Sequence, residues 1–433
     1  MDIVLDLLIL IGLLAIGVPV PFCFMAAVIF LIVLHGYNFE FLLPVAFYSL
    51  NSLTLLAVPF FIMAGGLMGG SGIAERLANI ATSLVGRAKG GLGGASVVAC
   101  AIFGAVAGTC SAAVAAIGSM MIPRMEAEGY PKGHATALVT CASVLGQLIP
   151  PSVPMILFAW VTRLSVAACF LSTVGPGILQ IIVFIFLNWW MCRRIPTIKV
   201  YPPLSLKEQA REVGRATQKG FFALLAPFII LGGIYGGLTT PTEAATIAVL
   251  YIILAGFFIY RKLTIKELGQ TLYSTATTTG VVILMVFFVQ ILSRIYTMEN
   301  VPQRLIELLT GFSENKYVIL GMINIFLIIL GMLADDFSGT LLAAPLLFPI
   351  IKHIGVNPYH FAAIMGTNLG LGNMTPPCAP ILYLGGRVGN CSFDKLIKPA
   401  SMLMIFGNLP VVIITTYWPD LSLFLPRLII GIK

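Results

Sequence analysis

The sequence predicts an all-α, polytopic membrane fold built from two inverted copies of one module. Three observations predict it. Of 433 residues, 59% are hydrophobic and only 10% are charged, with a mean hydropathy of +1.01; a soluble domain carries about 25% charge. The apolar runs are long and continuous, so the spans are helices rather than the alternating strands of a barrel. One motif also occurs twice, at 121–154 (MIPRMEAEGYPKGHATALVTCASVLGQLIPPSVP) and 347–380 (LFPIIKHIGVNPYHFAAIMGTNLGLGNMTPPCAP), aligned without a gap by a shift of 226 positions. Pro123 falls on Pro349, Gly129 on Gly355, His134 on His360 and Gly146 on Gly372, and Pro150-Pro151-Ser152-Val153-Pro154 falls on Pro376-Pro377-Cys378-Ala379-Pro380. An apolar helix broken by Gly and Pro-Pro once in each half marks an internal repeat with a binding site between its copies.

The elements follow in order. Residues 1–70 hold spans at 4–17, about 20–35 and 41–69, the first two parted by Gly17-Val18-Pro19-Val20-Pro21. The opening MDIVLDLLIL lacks the basic region of a cleaved leader, so its helix is expected to stay. Segment 71–92 is amphipathic, with Arg76, Arg87 and Lys89 against Glu75, and should lie along the inner face. Region 93–192 opens with an apolar stretch, 93–122, that has Gly108-Thr109-Cys110-Ser111 at its middle; two half-length helices fit it. A broken helix (134–160) and a span (165–190) complete the region. Loop 193–219 carries Arg193, Arg194, Lys199, Lys207, Arg211, Arg215 and Lys219 against Glu208 and Glu212, which marks it as cytoplasmic.

Region 220–297 repeats the opening set, with spans at 221–238, 243–260 and 272–297 and a basic return at Arg261, Lys262 and Lys266. Segment 298–316 is amphipathic with the opposite bias, Glu299, Glu307 and Glu314 against Arg304 and Lys316, and should lie along the outer face. Region 317–433 holds the second hairpin (317–351), centred on Ala334-Asp335-Asp336-Phe337-Ser338-Gly339, and the second broken helix. Loops 124–132 and 193–219 both sit inside only if 93–122 returns to its starting side, so the two apolar stretches are read as re-entrant hairpins whose tips meet near the midplane. Trp160, Trp189, Trp190 and Trp418 fall near span ends, as interfacial anchors do.

A helix interrupted within a membrane frees carbonyls and C-terminal ends for cations, and N-terminal ends for anions. Thr109, Ser111, Ser143, Asp335, Asn368 and Thr375 add the oxygens a hard cation needs, so each half reads as one cation site with substrate between the two. Asp335 and Asp336 stand out because a carboxylate at membrane depth costs about 2.5–3.5 kcal/mol on insertion scales; the structural alternative is capping of a half-helix. Thr109, Cys110, Ser152 and Asp336 are candidate substrate contacts. Arg387 joins them as a residue that could attract an anion from inside, although basic placement at the inner face also explains it. His134 and His360 read as interfacial helix-start residues, with a proton relay as the alternative, and Glu243 as an acid at a helix start. The eight cysteines form no CxxC pair and read as packing residues. No HExxH, GxSxG or P-loop pattern occurs, which argues against an enzyme and against direct ATP drive. The net charge of +8 reads as basic cytoplasmic loops rather than nucleic-acid binding.

Through GTCSAAVAAIGSMMIPRMEAEGYPKGHA, GQLIPPS, GGLTTPTEAA, GMLADD with PLLFPI, GTNLGLGNMTPP and the closing LFLP, spread over both halves, the chain resembles the large membrane subunit (DctM type) of the tripartite ATP-independent periplasmic (TRAP) transporters. The resemblance implies an inverted-repeat, elevator-type transporter with two re-entrant helical hairpins in its mobile part and amphipathic arm helices on its scaffold. It implies Na+ as co-transported ion, no organic cofactor, and an organic-acid substrate such as a dicarboxylate or sialic acid. It implies membrane lipid, a periplasmic substrate-binding protein and a small four-helix membrane subunit, here a separate chain, as partners in the bacterial inner membrane. By the same resemblance Gly108, Ser111, Ser143 and Gly146 would serve one Na+ site, and Asp335, Gly366, Asn368, Gly372 and Thr375 the other. Cys110 departs from the pattern, where a second serine is common, as does Cys378, where a small residue is common. The alternative reading is a stand-alone divalent-anion/Na+ symporter that needs no binding protein.

Overall fold

The computed structural model describes residues 2–85, 88–200 and 205–432. Arg87 and the 201–204 part of the basic connection lie outside them. Among the described residues the regular structure is helical without a strand, and eight helices are long and apolar enough to cross a membrane.

The first half opens with Asp2–Ile16 and Val20–His35, which pack on each other. Gly17, at φ +88°, makes the turn between them. At 15 and 16 residues they are about 22–24 Å long, short of a ~30 Å hydrocarbon core. The expected span 41–69 is instead two helices, Phe39–Leu50 and Leu53–Gly70. Asn51 and Ser52 leave helical geometry between them, Ser52 at φ −132°; short polar side chains of this kind compete for backbone hydrogen bonds.

The matching set in the second half is Leu206–Tyr235, Pro241–Leu254 (continued by a π turn to Ile259) and Ile265–Met298. The expected loop 193–219 is thus helical from Leu206 onward. Ser205 and Glu208 cap that helix reciprocally, and Thr240 with Glu243 and Thr264 with Glu267 do the same for the next two. Glu243 is therefore the helix-start acid the sequence suggested.

The two amphipathic helices, Ile73–Val85 and Val301–Phe312, sit at opposite ends of this bundle. Glu75 on the first meets Lys262 Nζ at 2.5 Å. Glu299, just before the second, accepts from the Tyr37 hydroxyl and lies 3.5 Å from His35 Nδ1. Ile265–Met298, at 34 residues about 51 Å long, runs from one end to the other.

Each hairpin is two helices joined at a tip. The first runs through Gly91–Ala107 and returns through Cys110–Ala113, a π turn, and Ser119–Ala127; the second is Lys316–Leu333 and Asp336–His353. The broken helices are Lys132–Ala142 with Val153–Thr162, and Pro358–Gly372 with Pro380–Val388. Both halves carry a cis peptide at the matching place, Pro150-Pro151 and Pro376-Pro377. The first part of each broken helix packs on its own hairpin, and the second part on the other half's: Val153–Thr162 lies on Asp336–His353, and Pro380–Val388 on the π turn 114–118. Phe158 seals this interlock, 6.0 Å from Phe361 and 6.3 Å from Phe348 between ring centroids. The deepest core lies here, whereas Phe47, Tyr48, Leu53, Phe228 and Phe258 face outward, as lipid-facing residues do.

Candidate functional site

The first tip is shaped by glycine. Gly108, at φ +66°, ends Gly91–Ala107, and extended Thr109 starts the return helix with its Oγ1 accepting the Ala112 N–H at 3.4 Å. The tip nests into the break of its own half. The Gly108 carbonyl accepts the Val153 N–H at 3.0 Å. A Cβ on Gly146 would stand 2.5 Å from the Thr109 carbonyl oxygen, so only glycine permits the approach.

The second tip does the same job with a carboxylate. Asp335 caps Asp336–His353 by accepting the Ser338 N–H at 2.9 Å, and Ser338 Oγ accepts the Asp335 N–H at 3.1 Å. Asp335 thus realises the capping role that the sequence left as one of two readings. Gly372 packs on the second hairpin just before its tip: its Cβ would lie 2.6 Å from Gly331 Cα, as a Cβ on Gly104 would lie 2.8 Å from Gly146 Cα in the first half.

Asp336 is where the halves converge. It is 5% exposed. Its carboxylate accepts from the Asn373 amide on the second broken helix and has the thiol and backbone amide of Cys110, on the first tip, within hydrogen-bonding reach. Gln147 makes a second bridge, donating to the Gly366 carbonyl at 2.8 Å across the two broken helices. Close packing at this crossing leaves no room for a side chain on Gly370, whose Cβ would stand 2.2 Å from Val144 Cγ2.

Around this crossing lie several buried oxygens without a hydrogen-bond donor. Asn368 Nδ2 donates to Asn324 Oδ1 at 2.8 Å and to the Ile364 carbonyl at 2.7 Å, which leaves its Oδ1 free; the Oδ1 atoms of Asn373 and Asn408 and the Ser152 hydroxyl are also unpartnered. Buried polar oxygens normally find a partner, and an oxygen set of this kind suits a hard cation. Ser143 and Thr375 donate their hydroxyls to the carbonyls of Thr140 (2.7 Å) and Leu371 (2.8 Å), leaving hydroxyl lone pairs for another partner.

A cavity of about 510 Å³ opens between the first tip and the outer bundle. Thr109 and Ser111 line it from the tip, and Glu267, Thr271, Ser274 and Thr278 line it from Ile265–Met298. Phe337 and Leu384 close its far side. The hydroxyl face of that long helix escaped the sequence reading, as did Gln147; the legible signal was Ser and Thr at helical spacing inside an apolar span, and a lone amide inside another.

The structure therefore brings Gly108, Thr109, Cys110, Gly146, Asp335, Asp336 and Gly372 to the crossing itself. Ser143, Gly366, Asn368, Thr375 and Ser152 lie on the two broken helices around it, and Ser111 faces the cavity. Arg387 is exposed and stands apart, in a separate cavity with Lys132 and Lys395. His134 is buried against Asn188 Oδ1 (3.2 Å), and His360 against the Thr415 carbonyl (2.7 Å). Each of these histidines ties its broken helix to the long helix that follows. Among the described residues no cluster of three or more His, Cys, Asp or Glu could hold a metal ion.

Residues 7–421 match the family model described as "Tripartite ATP-independent periplasmic transporter, DctM component". The chain is 34% identical over 412 residues to the isethionate TRAP transporter permease protein DctMQ of Oleidesulfovibrio alaskensis; the match covers 95% of this chain and 64% of that protein. It is also 34% identical to the sialic acid TRAP transporter large permease protein SiaM of Vibrio cholerae, with 97% of each chain covered. Among solved structures, the YdaH transporter of Alcanivorax borkumensis, described as having an unusual topology, has a similar fold, with a TM-score of 0.55 at 14% identity and 86% of each chain covered.

Proposed function

This chain belongs to the DctM component family of tripartite ATP-independent periplasmic transporters, and on that premise we propose that it is the large permease of a secondary importer that carries an organic acid across the bacterial inner membrane with Na+. In this reading a periplasmic binding protein delivers the acid and a small membrane subunit supports the scaffold. The scaffold is 1–70 with 220–297, the arms are 71–92 and 298–316, and the moving part is 93–192 with 317–433. The moving part carries its cargo by alternating access of the elevator kind.

The observation that carries the reading is the convergence at Asp336. One buried carboxylate on the second tip accepts from a broken helix and lies within electrostatic reach of the first tip, with partnerless oxygens of Asn368 and Asn373 nearby. Cations drawn to these oxygens would order the tips. Ordered tips complete the wall of the hydroxyl-lined cavity, where Thr109 and Ser111 meet the acid. Na+ and acid then bind cooperatively, because each stabilises the arrangement the other needs. A coupling of about 1–3 kcal/mol would change acid affinity by roughly 5–150-fold.

Uptake into proteoliposomes tests this with a panel of acids that includes a sialic acid, a C4-dicarboxylate and isethionate, with and without a Na+ gradient and the cognate binding protein. Uptake of one acid that requires both supports the proposal. Uptake that ignores Na+ would sink the coupling. Full activity without a binding protein would favour a stand-alone anion/Na+ symporter. Asn368→Ala and Ser143→Ala should raise the Na+ concentration needed for half-maximal uptake about tenfold, at unchanged expression.

A further inference from the structure

We infer that the transporter carries a second anion site, distinct from the cavity at the tips, where two helix starts meet at the end of the molecule that holds the basic connections. It is a cavity of about 620 Å³ lined by Lys132, Tyr383, Arg387, Asn390, Ser392 and Lys395 among others, with no acidic side chain in its wall. Its position is fixed by neighbours: Lys199 of the basic connection donates its backbone N–H to the Glu128 carbonyl (2.9 Å), just before Lys132.

Two features favour an anion there, and a third builds the junction that holds them together. The first is charge. Lys132, Arg387 and Lys395 converge on one space, and neither Arg387 nor Lys395 has an acidic partner among the described residues; Lys132 has Glu126 at 3.7 Å, outside the wall.

The second is backbone polarity. Lys132–Ala142 and Phe393–Leu403 both start at the cavity, and neither N-cap residue, Pro131 or Ser392, makes a side-chain capping bond, so unsatisfied N–H groups of two helices add to the positive field. Asp394 shares the second of these first turns but does not line the cavity.

The third is the close approach that brings the two starts together. A Cβ on Gly133 would stand 2.2 Å from the Lys395 carbonyl oxygen, so the junction exists because residue 133 is glycine.

Helix Pro380–Val388 separates this site from the hydroxyl-lined cavity: Leu384 faces that cavity, whereas Tyr383 and Arg387 face this one. The apolar stretches Lys132–Thr162 and Phe393–Tyr417 both begin here, which sets the site at headgroup depth. The ligand chemistry is a phosphate-type oxyanion that an Arg fork and two lysines can clamp. A basic pocket between spans on the cytoplasmic side suits the phosphodiester of an anionic lipid; free cytoplasmic phosphate is the other source of the same chemistry.

The test uses full-length protein, wild type and the R387Q/K395Q double variant, stripped of lipid in neutral detergent. Native mass spectrometry counts phosphatidylglycerol retained after titration, with phosphatidylcholine as the zwitterionic control, and a separate arm titrates inorganic phosphate and follows the unfolding temperature. The expected result is wild-type binding of phosphatidylglycerol over phosphatidylcholine, weakened about tenfold or more by loss of two charges. A phosphate response that the double variant loses, without lipid selectivity, would assign the site to a free oxyanion. Equal behaviour of wild type and double variant toward both probes would overturn the inference. Gly133→Ala checks the geometry with all three charges kept, and should also weaken binding.

Discussion

The two hairpin tips occupy equivalent places in the repeat, yet they are chemically unequal. The 226-residue shift puts Thr109 on Asp335 and Cys110 on Asp336. The first pair does one job with two chemistries, since each side chain accepts a backbone N–H three residues on. The second pair does something that no sequence alignment displays: Cys110 and Asp336 come within electrostatic reach of each other. Equivalent residues of an inverted repeat meet only at its pseudo-two-fold axis, so the axis passes between them. A thiol on one side and a carboxylate on the other place one carboxylate at the crossing. The fold is symmetric there and the electrostatics are not.

Removing the charge at Asp336 while keeping its shape should have the largest effect. Asp336→Asn should lower Na+-driven uptake by at least about a hundredfold in proteoliposomes, whereas Cys110→Ser should lower it less than about fivefold. Comparable losses would mean that the two sides contribute alike.

Next come the glycines that let each broken helix pack closely on its own hairpin. Gly146→Ala and Gly372→Ala each drive a Cβ into backbone, at 2.5 Å from Thr109 O and 2.6 Å from Gly331 Cα. Each should cost about 1–3 kcal/mol, read as an unfolding midpoint shift of several degrees. A loss in one half alone would contradict the structural symmetry.

The caps sharpen the picture further. Thr109→Ala and Asp335→Ala should each cost about 0.5–2 kcal/mol, with the larger loss at Asp335, whose cap is reciprocal. Denaturant or thermal unfolding of the two variants side by side reads this.

The smallest effect separates the arms by pH. Hydrogen bonding to Lys262 holds the Glu75 carboxyl below its ordinary value. That contribution is complete above the ordinary carboxylate range and fades as pH falls through the lowered value. Hydrogen bonding to Glu299 pushes the Tyr37 hydroxyl up to about 12, so its contribution is complete below about 10 and fades as pH rises toward 12. Both pairs are partly exposed and worth about 1 kcal/mol or less. Glu75→Gln should flatten the acid limb of the stability profile, and Tyr37→Phe the alkaline limb.

Much of this was legible in the sequence because repeat spacing and broken apolar helices are one-dimensional signals. The 226-residue shift, both hairpins, both breaks and the opposed charge of the arms could be read from composition and motif. The break at Asn51-Ser52 was harder, since two short polar residues in an apolar run also fit a continuous helix. The helix from Leu206 was hidden by its own charge: a basic stretch reads as a loop, although Ser205 and Glu208 spell a capping box. Which aspartate caps and which joins the halves could not be read at all. Adjacent residues at a helix start point in different directions, and only the partner elements, Asn373 and Cys110, decide what each one meets. The hydroxyl face of Ile265–Met298 became a cavity wall only once the first tip was set against it.

The meeting of the two halves at the tips is most directly measured by thiol cross-linking. In a background where Cys110 is kept, the other native cysteines are replaced and D336C is introduced, a short bifunctional thiol reagent is applied in the membrane. The chain is then cut by protease in the basic connection between Arg193 and Lys219. If the tips meet, the two fragments stay covalently joined, and they come apart when D336C is omitted. Fragments that separate after full modification of both thiols would contradict it.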